Sequence, residues 1–161
     1  MDTLIRNGTV LLVNDDVNAR IIEQTLLEAR GLPVHAVGDG HAAYDVVAQE
    51  GFRVAVMVLS LEINAAGMSG WQLLHRLRAE FEAVLSLGQL RVVVTTARQD
   101  RATAPFVHWL SDAVLRRPIA PCDFIAVVER LRASAMAAMV AHSLHPVLKL
   151  GAVASAAGSE R

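Results

Sequence analysis

The sequence predicts an α/β fold, a parallel β-sheet with helices on both faces. Three observations lead there. Short apolar segments alternate with segments of helical spacing five times over, the order that builds a parallel sheet through right-handed crossovers. Three of those apolar segments are nearly unbroken Val, Leu and Met, as in strands covered on both faces. At 161 residues the chain can bury such a sheet without disulfides or a structural metal.

The first strand is expected at Thr9 to Val13. Asp16 or Asn18 then caps a helix with Ile22, Leu26 and Ala29 facing inward, and Gly31 follows its end. Pro33 to Val37 is the second strand. A short helix from about His41 to Glu50 turns Ala43, Val46 and Val47 inward, with Gly51 after it. Gly38-Asp39-Gly40 reads as the turn into that helix; two glycines with no following Lys make no phosphate loop. Val54 to Leu59 is the third strand. Gly70 precedes a helix with Leu73, Leu74, Leu77 and Phe81 on one stripe. Leu90 to Thr95 is the fourth strand, followed by a helix over Arg101 to Leu110 in which Pro105 must lie in the first turn. Ala113 to Leu115 is the fifth strand. Asp123 starts the last helix, with Phe124, Val127, Val128 and Leu131 at i, i+3, i+4 and i+7.

Composition narrows the function classes. Fifteen Lys plus Arg against sixteen Asp plus Glu leave a formal charge of -1, which supplies no long-range pull on nucleic acid or anionic membrane. Aromatic residues are 4% of the chain, too few for a base-stacking surface. Cys122 is the only cysteine, which excludes an internal disulfide framework and a cysteine-based zinc cluster. The opening residues carry no basic flank followed by an apolar core, so no signal peptide is expected. The longest uncharged run, between Arg132 and Lys149, contains two His, two Ser and a Pro and falls short of a membrane span. A cytoplasmic protein with neither nucleic-acid nor membrane partners is the expectation.

In an open parallel sheet the working crevice lies beyond the carboxyl ends of the strands. The residues found there are Asn14, Asp15 and Asp16; Ser60, Leu61 and Glu62; Thr95 and Thr96; and Arg116, Arg117 and Pro118. Acids, hydroxyls and a cation on one rim suit an anion or a metal ion.

These residues resemble those of response-regulator receiver domains. An apolar strand running into Asn14-Asp15-Asp16, with Arg20 beyond, is similar to the acidic opening of that family. Gly67-Met68-Ser69-Gly70 followed by Leu73-Leu74 resembles the turn after the phosphorylation strand. Thr96-Ala97 resembles the switch pair, and Arg117-Pro118 the Lys-Pro that closes the fifth strand. The match covers roughly Gly8 to Ala133. It implies a flavodoxin-like three-layer sandwich with strand order 2-1-3-4-5, divided as a lead over 1–8, a receiver-like domain over 9–133, and an extension of the last helix with a disordered tail over 134–161.

The resemblance also implies a magnesium site built from two acids and an acceptor Asp, and here the sequence departs from it. Asn14 stands at the first acidic position and Ser60 at the acceptor position. Asp15 and Asp16 remain, Arg117 replaces the Lys, and the loop Leu61 to Gly67 is two residues longer than usual and lacks the usual proline. A carboxylate accepts a phosphoryl group without a base; a serine hydroxyl needs one beside it. Glu62 is the nearest acid in sequence and shares a side with Ser60 if the strand continues. Two of three formal charges are lost, so no cofactor beyond weakly held magnesium is expected, with Asp15 as its candidate ligand. For Asp15 and Asp16 a helix cap and favourable dipole charge is the preferred reading over metal binding. Arg117 neutralises the pocket, with Asp15 as a bidentate partner or an anion as a less favoured one.

Elsewhere the bland readings are preferred. Trp71 and Trp109 are taken as packing residues, Cys122 as a structural thiol, and His142 and His145 as partly solvated helical residues. Thr96, the switch equivalent, is expected to make a static hydrogen bond. The stripe Val128, Leu131, Ala135, Met139 and His142 carries the last helix past Ala133 toward the residue before Pro146, with Met136 and Val140 beside it. The distal half of Asp123 to His145 is therefore a candidate surface for a partner or for self-association, and residues from Gly151 on are expected to be disordered. No nucleophile has a paired base, so no enzyme activity is expected. The leading function is a phosphorylation-independent receiver-like interaction module. The alternatives are a phospho-accepting regulator of unusual chemistry and a small-ligand or anion sensor.

Overall fold

Val, Leu and Met segments assemble into one sheet: Thr9–Val13 (β1), Val34–Val37 (β2), Val54–Ser60 (β3), Arg91–Thr96 (β4) and Ala113–Arg116 (β5). The computed structural model describes residues 5–64 and 67–157. The strand order is β2-β1-β3-β4-β5, with every pair parallel. Every residue of β1 and β3 is buried, which is why those segments show no polar alternation. The edge strands β2 and β5 are only partly covered.

The connecting helices are Val17–Glu28 (α1), Gly40–Glu50 (α2), Gly70–Glu80 (α3), Glu82–Ser86 (α4), Gln99–Ala102 (α5), Pro105–Leu110 (α6) and Pro121–Ala157 (α7). Alternate strand residues point to opposite faces. Val10, Leu12, Val56, Val58 and Val93 pack against Leu27 of α1 and Phe124, Val128, Leu131 and Ala135 of α7. Leu11, Val13, Met57, Leu59, Val92 and Val94 pack against α2, α3 and α6. The caps are local chemistry. Asp39 accepts from the Ala42 N–H at 2.8 Å, and Ser69 and Gln72 close a reciprocal capping box at α3.

Four expectations are corrected here. Of the inner face expected for α1, Leu26 packs on the core, but Ile22 and Ala29 are exposed. Leu27 is the fully buried residue, while Ile21 and Ile22 are 56% and 60% exposed; the helix is turned so that Leu27 and Glu23 face the fold. The helix expected over Arg101 to Leu110 is two short helices. Pro105 opens α6, and the extended backbone of Ala104 before it breaks the run, as the clash with a following proline ring requires. Trp109 does not pack: it is 77% exposed, because Val107 and Leu110 take the inner face of α6. Cys122 is exposed rather than structural, since Phe124 takes the inner position in that turn.

The last helix also differs. It begins at Pro121, runs through Pro146 and Gly151 and reaches Ala157, so the segment from Gly151 to Ala157 is helical rather than disordered. Pro146 removes one helical N–H, but the alanine-rich flanks are strong helix formers. Packing does not stop at Ala133. Ala135 is fully buried, and Met136 and Met139 pack on the same core. Val140 and Leu144 are the residues left exposed, at 56% and 50%.

The lead before β1 is tied down from two sides. Arg53 donates to the Ile5 carbonyl at 3.2 Å, and Arg132 of α7 donates from Nε to the Gly8 carbonyl at 2.6 Å. Gly8 sits at φ +83°, and a Cβ there would lie 2.7 Å from both the Arg132 guanidinium and the Met136 sulfur. The position therefore demands glycine.

Candidate functional site

The parallel ladder delivers the ends of β1, β3, β4 and β5 to one rim. The Asn14 N–H bonds the Val37 carbonyl at 3.2 Å, Leu61 bonds Thr95 at 3.0 Å, and the Arg117 N–H bonds Thr96 at 2.8 Å. The sequence-predicted residues Asn14, Asp15, Asp16, Ser60, Thr96 and Arg117 therefore share this crevice. Gly70 keeps it tight: a Cβ there would stand 2.6 Å from the Ser60 carbonyl oxygen and 2.9 Å from the Leu61 Cα.

Each carboxylate around the crevice has a partner. Asp16 caps α1, accepting from the Asn18 and Ala19 N–H groups at 2.9 and 3.1 Å. Asp15 Oδ2 accepts from the Asn64 N–H at 3.0 Å, pinning the long β3–α3 loop. Glu62 turns toward β4, where its Oε1 accepts from the Thr96 hydroxyl and from the Ala97 N–H. The Ser60 hydroxyl, in a residue only 2% exposed, makes no hydrogen bond to any of them among the described residues. Glu62 and Ser60 thus do not form the nucleophile and base pair that their spacing allowed.

Arg117 does not pair with Asp15. Its Nη2 donates to Glu23 Oε1 at 2.8 Å and to the Thr95 hydroxyl at 3.2 Å. Asp15 is already held by the loop, and Glu23 on α1 offers a closer carboxylate. The sequence reading missed Glu23, although an acid one helical turn before the buried Leu27 is a signal that a cation waits inside. Burial holds the Glu23 carboxyl above its ordinary value, against the opposing pull of Arg117 and of the nearby Asn14 amide, which falls outside hydrogen-bond geometry. Glu23 Oε2 and Asn14 Nδ2 are both buried with no hydrogen-bond partner. A neutral Asn14 suits this cluster, which holds one buried anion against one cation; a second carboxylate would be unpaired.

Beside this pair runs a groove of about 590 Å³ between α1 and the start of α7, lined by Ile22, Leu26, Ile119 and Phe124 along with Glu23 and Arg117. The exposed Ile22 belongs to its wall.

The donor set does not fit a magnesium ion well. Octahedral coordination is usually anchored by one or two carboxylates. Asp15, Asp16 and Glu62 each keep one carboxylate oxygen outside these contacts, but Asn14 and Ser60 bring no charge to the rim, and Asn14 Oδ1 accepts from the Asp16 N–H at 3.0 Å. His142 on α7 is exposed, and the His145 side chain lies outside the described residues. No cluster of three metal-ligating side chains occurs among the described residues.

Sheet order and covering helices match solved structures. The chain aligns with the receiver domain of the Francisella response regulator 1452 at a TM-score of 0.67 and 21% identity, covering 78% of this chain and 97% of that one. The chain has the receiver-domain fold. The receiver domain of NtrX from Brucella abortus aligns at a TM-score of 0.66 and 18% identity, over 76% of this chain and 97% of that one. The response regulator TrrA from Thermotoga maritima, in complex with Mg2+-BeF, aligns at 0.64 and 17%, over 76% and 97%. By sequence, the chain is 38% identical over 92 residues to the sensor protein GacS of Pseudomonas syringae pv. syringae, a match over 57% of this chain. It spans 10% of that relative's length. No protein-family model matches the chain. No helix among the described residues is long and apolar enough to cross a membrane.

Proposed function

We propose that the chain is an atypical receiver of two-component signalling that acts through protein contacts and takes no phosphoryl group at Ser60. The observation that carries this reading is that, among the described residues, no base is hydrogen-bonded to Ser60, while Glu62 is turned away onto Thr96 and Ala97. A serine nucleophile needs a base within hydrogen-bond reach. The resemblance to receivers, one of which is TrrA with its bound Mg2+-BeF, implies an acceptor Asp and paired acids; this chain offers Ser60 and a loop-bound Asp15. The Glu23–Arg117 pair engages the cation on which an anion-sensing reading would rest, so that alternative is not favoured.

Incubation of the full chain with acetyl phosphate and magnesium, read by intact mass, tests the proposal. The mass is expected to stay unchanged, and beryllofluoride is expected not to bind tightly. A gain of one phosphoryl group that disappears in Ser60→Ala would establish the phospho-accepting reading instead.

The contact surface proposed is α7 beyond Met139, where Val140 and Leu144 stay in water while the preceding turns are packed. A second copy of the chain is the simplest occupant, because a two-fold contact needs one self-complementary surface.

A further inference from the structure

The end of β4 presents converging donors, and the chain fills the space between them itself. The Thr96 hydroxyl and the Ala97 N–H both point at Glu62 Oε1, the latter at 3.3 Å. The Arg101 guanidinium lies 3.9 Å from the same oxygen. Arg101 is held there by the Leu61 carbonyl at 3.2 Å and by the face of Trp71, 5.7 Å from its ring centroid. A hydroxyl, a backbone N–H and a guanidinium around one oxygen are the donors an oxyanion needs. Thr96 is fully buried, so without an acceptor its hydroxyl would be left unsatisfied at a cost.

We propose that Glu62 is the permanent occupant of this oxyanion seat. Its carboxylate latches the β3–α3 loop to the β4–α5 loop, and an external oxyanion enters only when Glu62 is removed. Two physical arguments support this. Glu62 leaves β3 two residues after Ser60, so its carboxylate meets the seat at the effective concentration of a short tether, which a free anion of millimolar affinity does not match. The contacts also carry the β3–β4 pairing, which the Leu61 N–H to Thr95 bond ends, out into the two loops, joining residues 34 apart at Thr96 and 40 apart at the Arg101–Leu61 bond. The β4–α5 loop is then fixed from within the chain, and the surface formed by α5 and α6 is presented in one arrangement without any phosphodonor. This rests on the interaction-module reading above, but it fails separately: mass spectrometry reads Ser60, whereas the test below reads the Ala97 amide.

Amide hydrogen exchange and two-dimensional NMR on the full chain provide that test, with inorganic phosphate and acetate as probes. In the unsubstituted protein the Ala97 amide is expected to be protected and to ignore both anions. In Glu62→Ala its exchange is expected to rise about tenfold or more, as for loss of a charge-assisted hydrogen bond, and added phosphate or acetate is expected to slow it again. Amides of β3 serve as the folding control. Thr96→Val keeps the shape and removes one donor. Its effect on the Ala97 amide is expected to be non-additive with that of Glu62→Ala, as for two halves of one contact. Unchanged Ala97 exchange in Glu62→Ala, additive effects of the two substitutions, or equal anion responses with and without Glu62 would each overturn the proposal.

Discussion

Glu23 sits where an apolar residue would otherwise complete the inner face of α1, and its charge has a titration consequence. Desolvation raises its folded-state value above the ordinary carboxylate range, the pull of Arg117 notwithstanding. Where the unfolded chain has already released this proton, the folded chain still holds it, so unfolding releases protons and stability falls as pH rises through that interval. The contribution is complete below the ordinary carboxylate value and is lost as pH climbs through the raised one. Glu23→Gln cannot ionise and is expected to lack this decline. Thermal midpoints of the two proteins between about pH 4 and pH 7 should show the variant gaining on the parent as pH rises. A constant gap across that range would mean that Arg117 compensates the buried carboxylate fully.

At the scale of elements, the β3–α3 connection is fixed by contact rather than by propensity. In a helix, alanine is better than glycine by about 1 kcal/mol, which alone would make Gly70→Ala stabilising. The new Cβ, however, would meet backbone atoms, the Ser60 carbonyl oxygen at 2.6 Å and the Leu61 carbonyl oxygen at 3.0 Å, and these cannot rotate aside. The steric penalty of overpacking, about 1–3 kcal/mol, is expected to outweigh the propensity gain. Urea unfolding should show a net loss of stability; an unchanged or raised midpoint would show that the strand end yields easily. The same contrast explains what could be read in advance. The strands were legible because a segment such as β3, buried on both faces, is apolar from Val54 through Leu59 and turns polar only at the rim, at Ser60. The orientation of α1 was not, because Val17 to Glu28 carries more than one apolar stripe. An inward-facing Glu23 becomes acceptable only through Arg117, 94 residues away. The rim residues were legible from strand ends, but their partners were not: Glu62 with Thr96 and Asp15 with Asn64 depend on the path of a long loop that no periodicity encodes.

For the whole molecule, α7 divides into a packed part and a bare part. Ala135, Met136 and Met139 belong to the core of the fold, so a chain ending after Ala133 would be damaged and would say little about association. Ending it after Met139 removes Val140 and Leu144 while sparing that core. Light scattering is expected to show a dimer for the full chain and a monomer of unchanged thermal midpoint for the truncated one; a full chain that is already monomeric would remove the case for self-association. The Arg132–Gly8 bond has a consequence of another kind. It joins residues 124 apart, and α7 also covers the face of the sheet that carries Val10, Leu12, Val56 and Val58. In a growing polypeptide α1 alone can cover that face, and only in part, until α7 arrives. Completion of this fold then waits for α7, and a chain not yet extended through it exposes apolar sheet surface to whatever chaperone or neighbour it meets first.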